Sequence, residues 1–262
     1  MPTVEERIQQ LDTQLFAPIY SPTTALDRLS LLLLQNCVRP INAYTYLEIG
    51  SYLGGSLQTH YVDSQCRFIY SIDKRILAQP DESGAKCCYP GNGSLAMLKN
   101  LYQTYPEVAE GKVVTFNAEV SKVLPTAIKH HPNLCLIDGE HTNRAVFADF
   151  LFCLQVIQPD GLIGLHRADL VYQGIGQIKH YLQQNAIPYA GIMLKGRVYA
   201  LLLRRGVTRY QEKLQLYSQD ENAYFTAADQ RLRQIQFANQ YPKIASCLQK
   251  LQQFWNRDNN RQ

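Results

Sequence analysis

The chain has 262 residues, 46% hydrophobic and 18% charged, with a formal net charge of +4. This length allows one sizeable domain with additions, and a domain of about 200 residues buries roughly 70% of its unfolded surface, so no metal or disulfide is needed to hold it together. The small charge, with no basic block, does not call for a nucleic-acid partner, and no apolar run is long enough to span a membrane.

The N-terminal MPTVEERIQQ is acidic and polar, unlike a secretory signal. Val4, Ile8, Leu11 and Leu15 then recur at helical spacing, Ser21-Pro22 restarts the chain, and Leu26–Val38 reads as a largely apolar helix. Residues 1–43 are therefore a helical lead-in. From Tyr44 the rhythm changes to short β-rich runs alternating with helical ones. Strands are predicted at Tyr44–Ile49, Phe68–Ile72, Val113–Phe116, Leu134–Ile137, Leu162–Leu165, Tyr189–Leu194 and Val198–Leu203. Helices are predicted at Ser56–Val62, Leu95–Tyr105, Lys122–Lys129, Thr142–Ile157 and Gly176–Asn185, with a turn-rich loop from Ile76 to Ser94.

Nearly continuous apolar strands separated by helices specify a Rossmann-like α/β fold: a mostly parallel seven-stranded sheet with helices on both faces. Only Lys195-Gly196-Arg197 joins the last two strands, too short for a crossover, so they form a C-terminal antiparallel hairpin. This domain spans 44–205. Residues 206–262 are glutamine-rich, and Ile244, Leu248, Leu251 and Trp255 keep helical spacing, which predicts an accessory helical segment. The seven cysteines (Cys37, Cys66, Cys87, Cys88, Cys135, Cys153, Cys247) are scattered without zinc-type spacing. The expectation is a soluble protein of the reducing cytoplasm.

The first strand runs into Glu48-Ile49-Gly50-Ser51-Tyr52-Leu53-Gly54-Gly55-Ser56. Glycines at a strand-to-helix turn let the backbone approach a ligand closely. Asp73 closes the second strand, 25 positions after Glu48, about one βαβ unit. There it either accepts ribose hydroxyls or caps a helix. Glu48, a carboxylate at the end of a buried strand, needs a partner, and a cationic ligand would be one.

These motifs resemble the class I S-adenosylmethionine-dependent methyltransferases over residues 44–205, most closely the small-molecule O-methyltransferases related to the catechol and macrocin enzymes. EIGSYLGGS is similar to that branch's first motif and SID to its second. The resemblance implies S-adenosylmethionine as cofactor. Glu48 would lie near its ammonium group, Ser56 and the Gly50, Ser51, Tyr52 and Gly54 turn would hold its carboxylate end, and Asp73 would take its ribose. Glu119 and Val120, in Asn117-Ala118-Glu119-Val120, would lie beside adenine. A nicotinamide-dependent oxidoreductase fits less well, because the second glycine of G-x-G-x-x-G is replaced by Tyr52.

At the reacting end, Asp138-Gly139-Glu140-His141 follows the fourth strand and His166-Arg167-Ala168-Asp169 the fifth. Ligands of open parallel sheets sit beyond the strands' carboxyl ends, so both segments face one cleft. A hydroxyl acceptor must lose its proton, and imidazole suits that task near neutral pH. His141 also stands where the related enzymes place a general base, so it is read as the base, with Asp138 lining the methyl and acceptor site. The other reading of His141 is a helix cap. Metal-dependent relatives carry an acid where this chain has Arg167. A guanidinium cannot ligate a cation, which argues against a divalent metal. Arg167 either steadies a polar acceptor in the cation's place or pairs with Glu140 or Asp169.

The resulting expectation is methyl transfer to a hydroxyl of a sugar or secondary metabolite. A protein that keeps the cofactor but has lost turnover, serving as a partner, is the alternative. The expected partners are the small acceptor and a second copy of this chain, joined through the terminal helices, with no nucleic acid or membrane.

Overall fold

The computed structural model describes residues 2–41 and 43–242; Ile244, Leu248, Leu251 and Trp255 lie outside the described residues. Two helices precede the sheet, α1 (Val4–Gln9) and α2 (Ala25–Val38), separated by a 3-10 turn at Thr13–Phe16. Each begins with a capping box, Thr3 with Glu6 and Thr24 with Asp27, in which side chain and backbone satisfy each other's free N–H groups.

The sheet contains β1 (Tyr44–Ile49), β2 (Cys66–Ile72), β5 (Val113–Phe116), β6 (Leu134–Ile137), β7 (Leu162–Leu165), β8 (Tyr189–Met193) and β9 (Tyr199–Leu203). Their order is β5-β2-β1-β6-β7-β9-β8. The pairs from β5 to β7 are parallel, and β9 runs antiparallel to both β7 and β8. The predicted hairpin is present, with β8 at the sheet edge and β9 filling the space next to β7.

Side-chain alternation splits the core in two. Tyr44, Tyr46, Leu134, Leu136 and Leu202 pack on one face with α1, α2 and the helices α4 (Ser94–Thr104) and α7 (Arg205–Gln215). Leu47, Ile49, Cys135, Ile137, Ile163 and Leu201 pack on the other with α5 (Asn143–Val156), α6 (Ala168–Gln184) and α8 (Glu221–Gln240). A period of two along a strand serves both layers at once, which is why these strands read as unbroken apolar runs.

Three predicted elements differ. Lys122–Lys129 is not an α-helix but two 3-10 turns, Val120–Lys122 and Pro125–Ala127, because Pro125 cannot donate to a preceding turn. The last crossover helix begins at Ala168 rather than Gly176, with non-helical angles at Val171 marking a kink. The Ile76–Ser94 segment contains a small hairpin, β3 (Ala78–Pro80) and β4 (Lys86–Cys88). Its turn is organised by Asp81, whose Oδ1 accepts from the backbone of Ser83 (2.9 Å) and the Ser83 hydroxyl (2.5 Å). At its tip the backbone carbonyls of Glu82 and Ser83 accept from Gln236 and Asn239 of α8, both at 2.9 Å. The remaining helix, α3 (Gln58–Val62), follows the glycine turn.

Candidate active site

β1 is the switch point of the sheet: the chain proceeds to β2 and β5 on one side and to β6 and β7 on the other. The carboxyl ends of β1 and β6 therefore diverge around a crevice, and two chambers open there, meeting at Gly50. One, of about 360 Å³, is lined by Asp73, Ala118, Glu119, Val120 and Asp149. The other, of about 760 Å³, is lined by Tyr20, Tyr52, Tyr89, Ser56, His141 and Arg167, with Asp138.

Gly50 is at φ +90°, and a Cβ there would stand 2.2 Å from the carbonyl oxygen of Asp138. The backbones after β1 and β6 thus touch at the floor shared by both chambers. Gly50→Ala is expected to destabilise the fold by roughly 2–4 kcal/mol, since neither contact partner is a movable side chain. A melting temperature within about 2 °C of wild type would contradict this close approach.

The glycine turn is fastened from below. Asp73 Oδ2 accepts from the Tyr52 backbone N–H (3.0 Å), and its Oδ1 from the Arg75 backbone (2.7 Å). Asp73 caps this turn rather than a helix, and it also lines the smaller chamber. The side chain of Arg75, missed in the sequence, is 7% exposed. Its Nη1 donates to the Tyr52 carbonyl (2.6 Å), and its Nη2 to the Ser51 (3.1 Å) and Ser71 (3.0 Å) hydroxyls. A basic residue two positions after the strand-closing acid was the available signal. Gly54, at φ +89°, faces Met97 and Leu101 of α4 and lines neither chamber.

Glu48 is fully buried. Within the protein the Tyr46 hydroxyl donates to Oε2 (2.8 Å), and the Ser56 hydroxyl contacts Oε1. Ser56 separates the carboxyl from the larger chamber. Burial pushes Glu48 up to about 8, the Ser56 and Tyr46 hydroxyls oppose this, and the charges of Asp138 and Asp73 add to it. Burial likewise raises Asp149 to about 7. Both folded values lie above the ordinary carboxylate range, so their contribution to stability is present at acid pH and lost as pH rises through 7 to 8. Stability measured by denaturant should therefore fall from pH 6 to 9. In Glu48→Gln, which mimics the protonated acid, this fall should shrink by about 2 kcal/mol. An unchanged slope would count against the buried, protonated carboxyl.

At the far end, Asp138 Oδ1 accepts from two imidazoles, His141 Nε2 at 3.0 Å and His166 Nδ1 at 2.6 Å. Burial alone would raise Asp138, but the charge of His166 and the hydrogen bonds of both histidines hold it well below the usual carboxylate range. His141 does not cap the following helix; the Thr142 hydroxyl does, accepting from Ala145 at 3.2 Å. An ionised carboxylate only accepts, so His141 Nε2 carries a proton, and in the neutral ring the lone pair is on Nδ1. Arg167 lines the larger chamber, yet its Nε donates to Asp169 Oδ1 (3.2 Å), one of the two pairings expected for it.

Residues 47–167 match the family described as a methyltransferase domain. No curated protein matches the chain. Among solved structures it is similar to the O-methyltransferase NovP, at 14% identity and TM-score 0.53, covering 77% of this chain and 99% of that one. Cofactor-bound Rv0187 from MTB matches at 14% and 0.52, covering 78% and 91%. The calicheamicin methyltransferase CalS11 matches at 17% and 0.50, covering 79% and 95%. At these identities the likeness is one of fold. The segment from Leu47 to Arg167, which holds Gly50, Asp73, Asp138 and His141, matches the methyltransferase-domain model and lies within the part of the chain that shares its fold with these solved structures.

Proposed function

We propose that this protein transfers the methyl group of S-adenosylmethionine to a hydroxyl of a small molecule. The observation that carries the reading is the double chamber hinged at Gly50, acid-lined on one side and ending on the Asp138–His141 pair on the other. The residues fit such a cofactor. Asp73, Glu119 and Val120 line the chamber for the nucleoside; Gly50, Ser51, Tyr52 and Ser56 line the way to the second, where Glu48 stands behind Ser56.

When bound, the cofactor supplies an electrophilic methyl: the acceptor oxygen gains the carbon while the electron pair of the broken C–S bond stays on sulfur. His141 takes the acceptor's proton at Nδ1, and Asp138 stabilises the imidazolium that forms. The chamber orients the acceptor, and alignment supplies much of the rate. Tyr20, Tyr52 and Tyr89 offer ring faces and hydroxyls to a flat or hydroxylated acceptor. Two fold neighbours fit this class: NovP is an O-methyltransferase, and CalS11 is described as a TDP-rhamnose 3'-O-methyltransferase.

The intact Asp138–His141 pair favours turnover over a cofactor-binding partner without activity. The test is demethylated cofactor release against a panel of sugars, phenols and glycosides. Cofactor binding without product from any acceptor would support the inactive alternative; heat with NAD and none with S-adenosylmethionine would reject both.

No described helix is long and apolar enough to cross a membrane, and the six described cysteines are free thiols. The thiols support a place in a reducing cytoplasm. Exposed Ile235 and Phe237 on α8 support a homodimer through the terminal helices, which light scattering would test; a monomer at all concentrations would reject it.

A further inference from the structure

His166, the second imidazole bonded to Asp138, lines the same chamber and joins it to residues that no motif marks. Asp27, in the first turn of α2, is fully buried. Beyond its capping box it accepts from the Arg197 backbone (2.8 Å) and from Arg197 Nη2 (2.6 Å) and Nε (3.1 Å). Arg197 belongs to the tip of the β8–β9 hairpin. That tip presses directly on α2: Gly196 is at φ +76°, and a Cβ on it would stand 2.6 Å from Asp27 Oδ1. One turn along the helix, the Ser30 hydroxyl donates to the Lys195 carbonyl at 2.6 Å. The helix and the hairpin tip together make a rigid clamp on one carboxylate.

His166 lies between this clamp and the cleft, 4% exposed. Its Nδ1 is 2.6 Å from Asp138 Oδ1, and its Nε2 is 3.4 Å from Asp27 Oδ2. The second contact is an ion pair without full hydrogen-bond geometry, and Nε2 has no other partner. Carboxylates flank both ring nitrogens and can only accept, so the ring is doubly protonated. Around it stand Arg197, on which Asp169 also acts, His141 (ring centroids 6.2 Å apart) and the adjoining Arg167.

Donor atoms of Asp138, His141 and His166 lie within 4.8 Å of one another, a spacing that could hold an ion. The set does not fit a hard divalent cation, which takes oxygen ligands: it offers one carboxylate and two imidazoles, and its buried imidazole already satisfies two acids.

We propose that His166, anchored by Asp27 and Arg197, is a positioning residue: a fixed cation between two carboxylates that holds Asp138 and, through it, the tautomer and orientation of His141. The proposal rests on the methyl-transfer reading of the same cleft. It makes the N-terminal helix and the hairpin tip working parts of the site.

The test combines nitrogen NMR of ¹⁵N-histidine-labelled protein with kinetics of His166→Gln, Asp27→Asn and the milder Arg197→Gln. In wild type at pH 7.5, both His166 nitrogens should be protonated, and His141 should carry its proton on Nε2. Asp27→Asn should lower the pH at which His166 loses a proton, and Arg197→Gln, which removes a competing cation from Asp27, should raise it. In His166→Gln, kcat should fall on the order of 10²-fold, KM for the cofactor should stay within about threefold, and the His141 tautomers should mix. Neutral His166 in wild type, or an unaltered His141 signal in folded His166→Gln, overturns the proposal. So does stoichiometric Zn²⁺ binding by calorimetry that raises activity. The NMR arm needs no turnover, so a wild type silent toward every acceptor counts against methyl transfer, and a neutral His166 against the positioning role.

Discussion

His141→Ala is expected to lower kcat by roughly 10²–10⁴-fold, the usual contribution of a positioned general base, with cofactor affinity within about twofold of wild type. The separation of the two effects follows from where His141 stands. Its ring meets Asp138 in the larger chamber, while the smaller chamber, proposed for the nucleoside, is lined from β1, β2, the segment after β5, Gly139-Glu140 and α5 but not by His141. Its backbone carbonyl, which accepts from the Glu82 N–H at 3.0 Å, survives the substitution, so the β3–β4 hairpin keeps its seat. The cap of α5 survives as well, because it belongs to Thr142. A folded variant that retains full turnover would remove His141 from the mechanism, and calorimetry with the demethylated cofactor would show whether the site itself had stayed intact.

Asp73→Ala should weaken cofactor binding by about 10²–10⁴-fold, through two losses acting together. Charge-assisted bonds from the carboxylate to ribose hydroxyls contribute about 1.5–3 kcal/mol each. The same carboxylate caps the backbone N–H groups of Tyr52 and Arg75 and accepts from Asn92 at 3.3 Å, so without it the glycine turn loses its lower fastening. Asp73→Asn leaves an acceptor oxygen but removes the charge, and should fall between wild type and alanine. Calorimetry with S-adenosylmethionine and with its demethylated product measures both variants. A Kd within threefold of wild type in Asp73→Ala, given an unchanged melting temperature, would remove Asp73 from the nucleoside site.

The fold was legible because its signal is local. A strand buried on both faces must be apolar along its whole length, so β6 and β7, buried at every position, announce themselves by composition and by the turn residues that bound them. The three-residue tip between β8 and β9 determines an antiparallel pairing without any tertiary knowledge. The glycine turn, Asp73 and the Asp138–His141 pair were readable for a related reason: they sit at strand ends, and in an open sheet those ends share one edge.

The predicted helix over Lys122–Lys129 that does not form and the unseen β3–β4 hairpin have a different cause. Pro125 sets a local limit that outweighs helical spacing, and the hairpin, poor in β-formers, owes its turn to Asp81 and its anchorage to α8. Neither shows as periodicity.

From sequence alone, this chain determined a parallel α/β sheet, the crevice at its carboxyl edge and the acids and imidazole that face it, because strand pattern and strand-end position are properties of neighbouring residues. The tertiary structure alone decided which charges meet. Asp27 and His166 are separated by most of the domain along the chain, Arg197 by more, and Glu48 meets the hydroxyls of Tyr46 and Ser56. Electrostatic pairing acts through space over a few ångströms, and only the packing of α2 and the hairpin tip brings those groups within that distance.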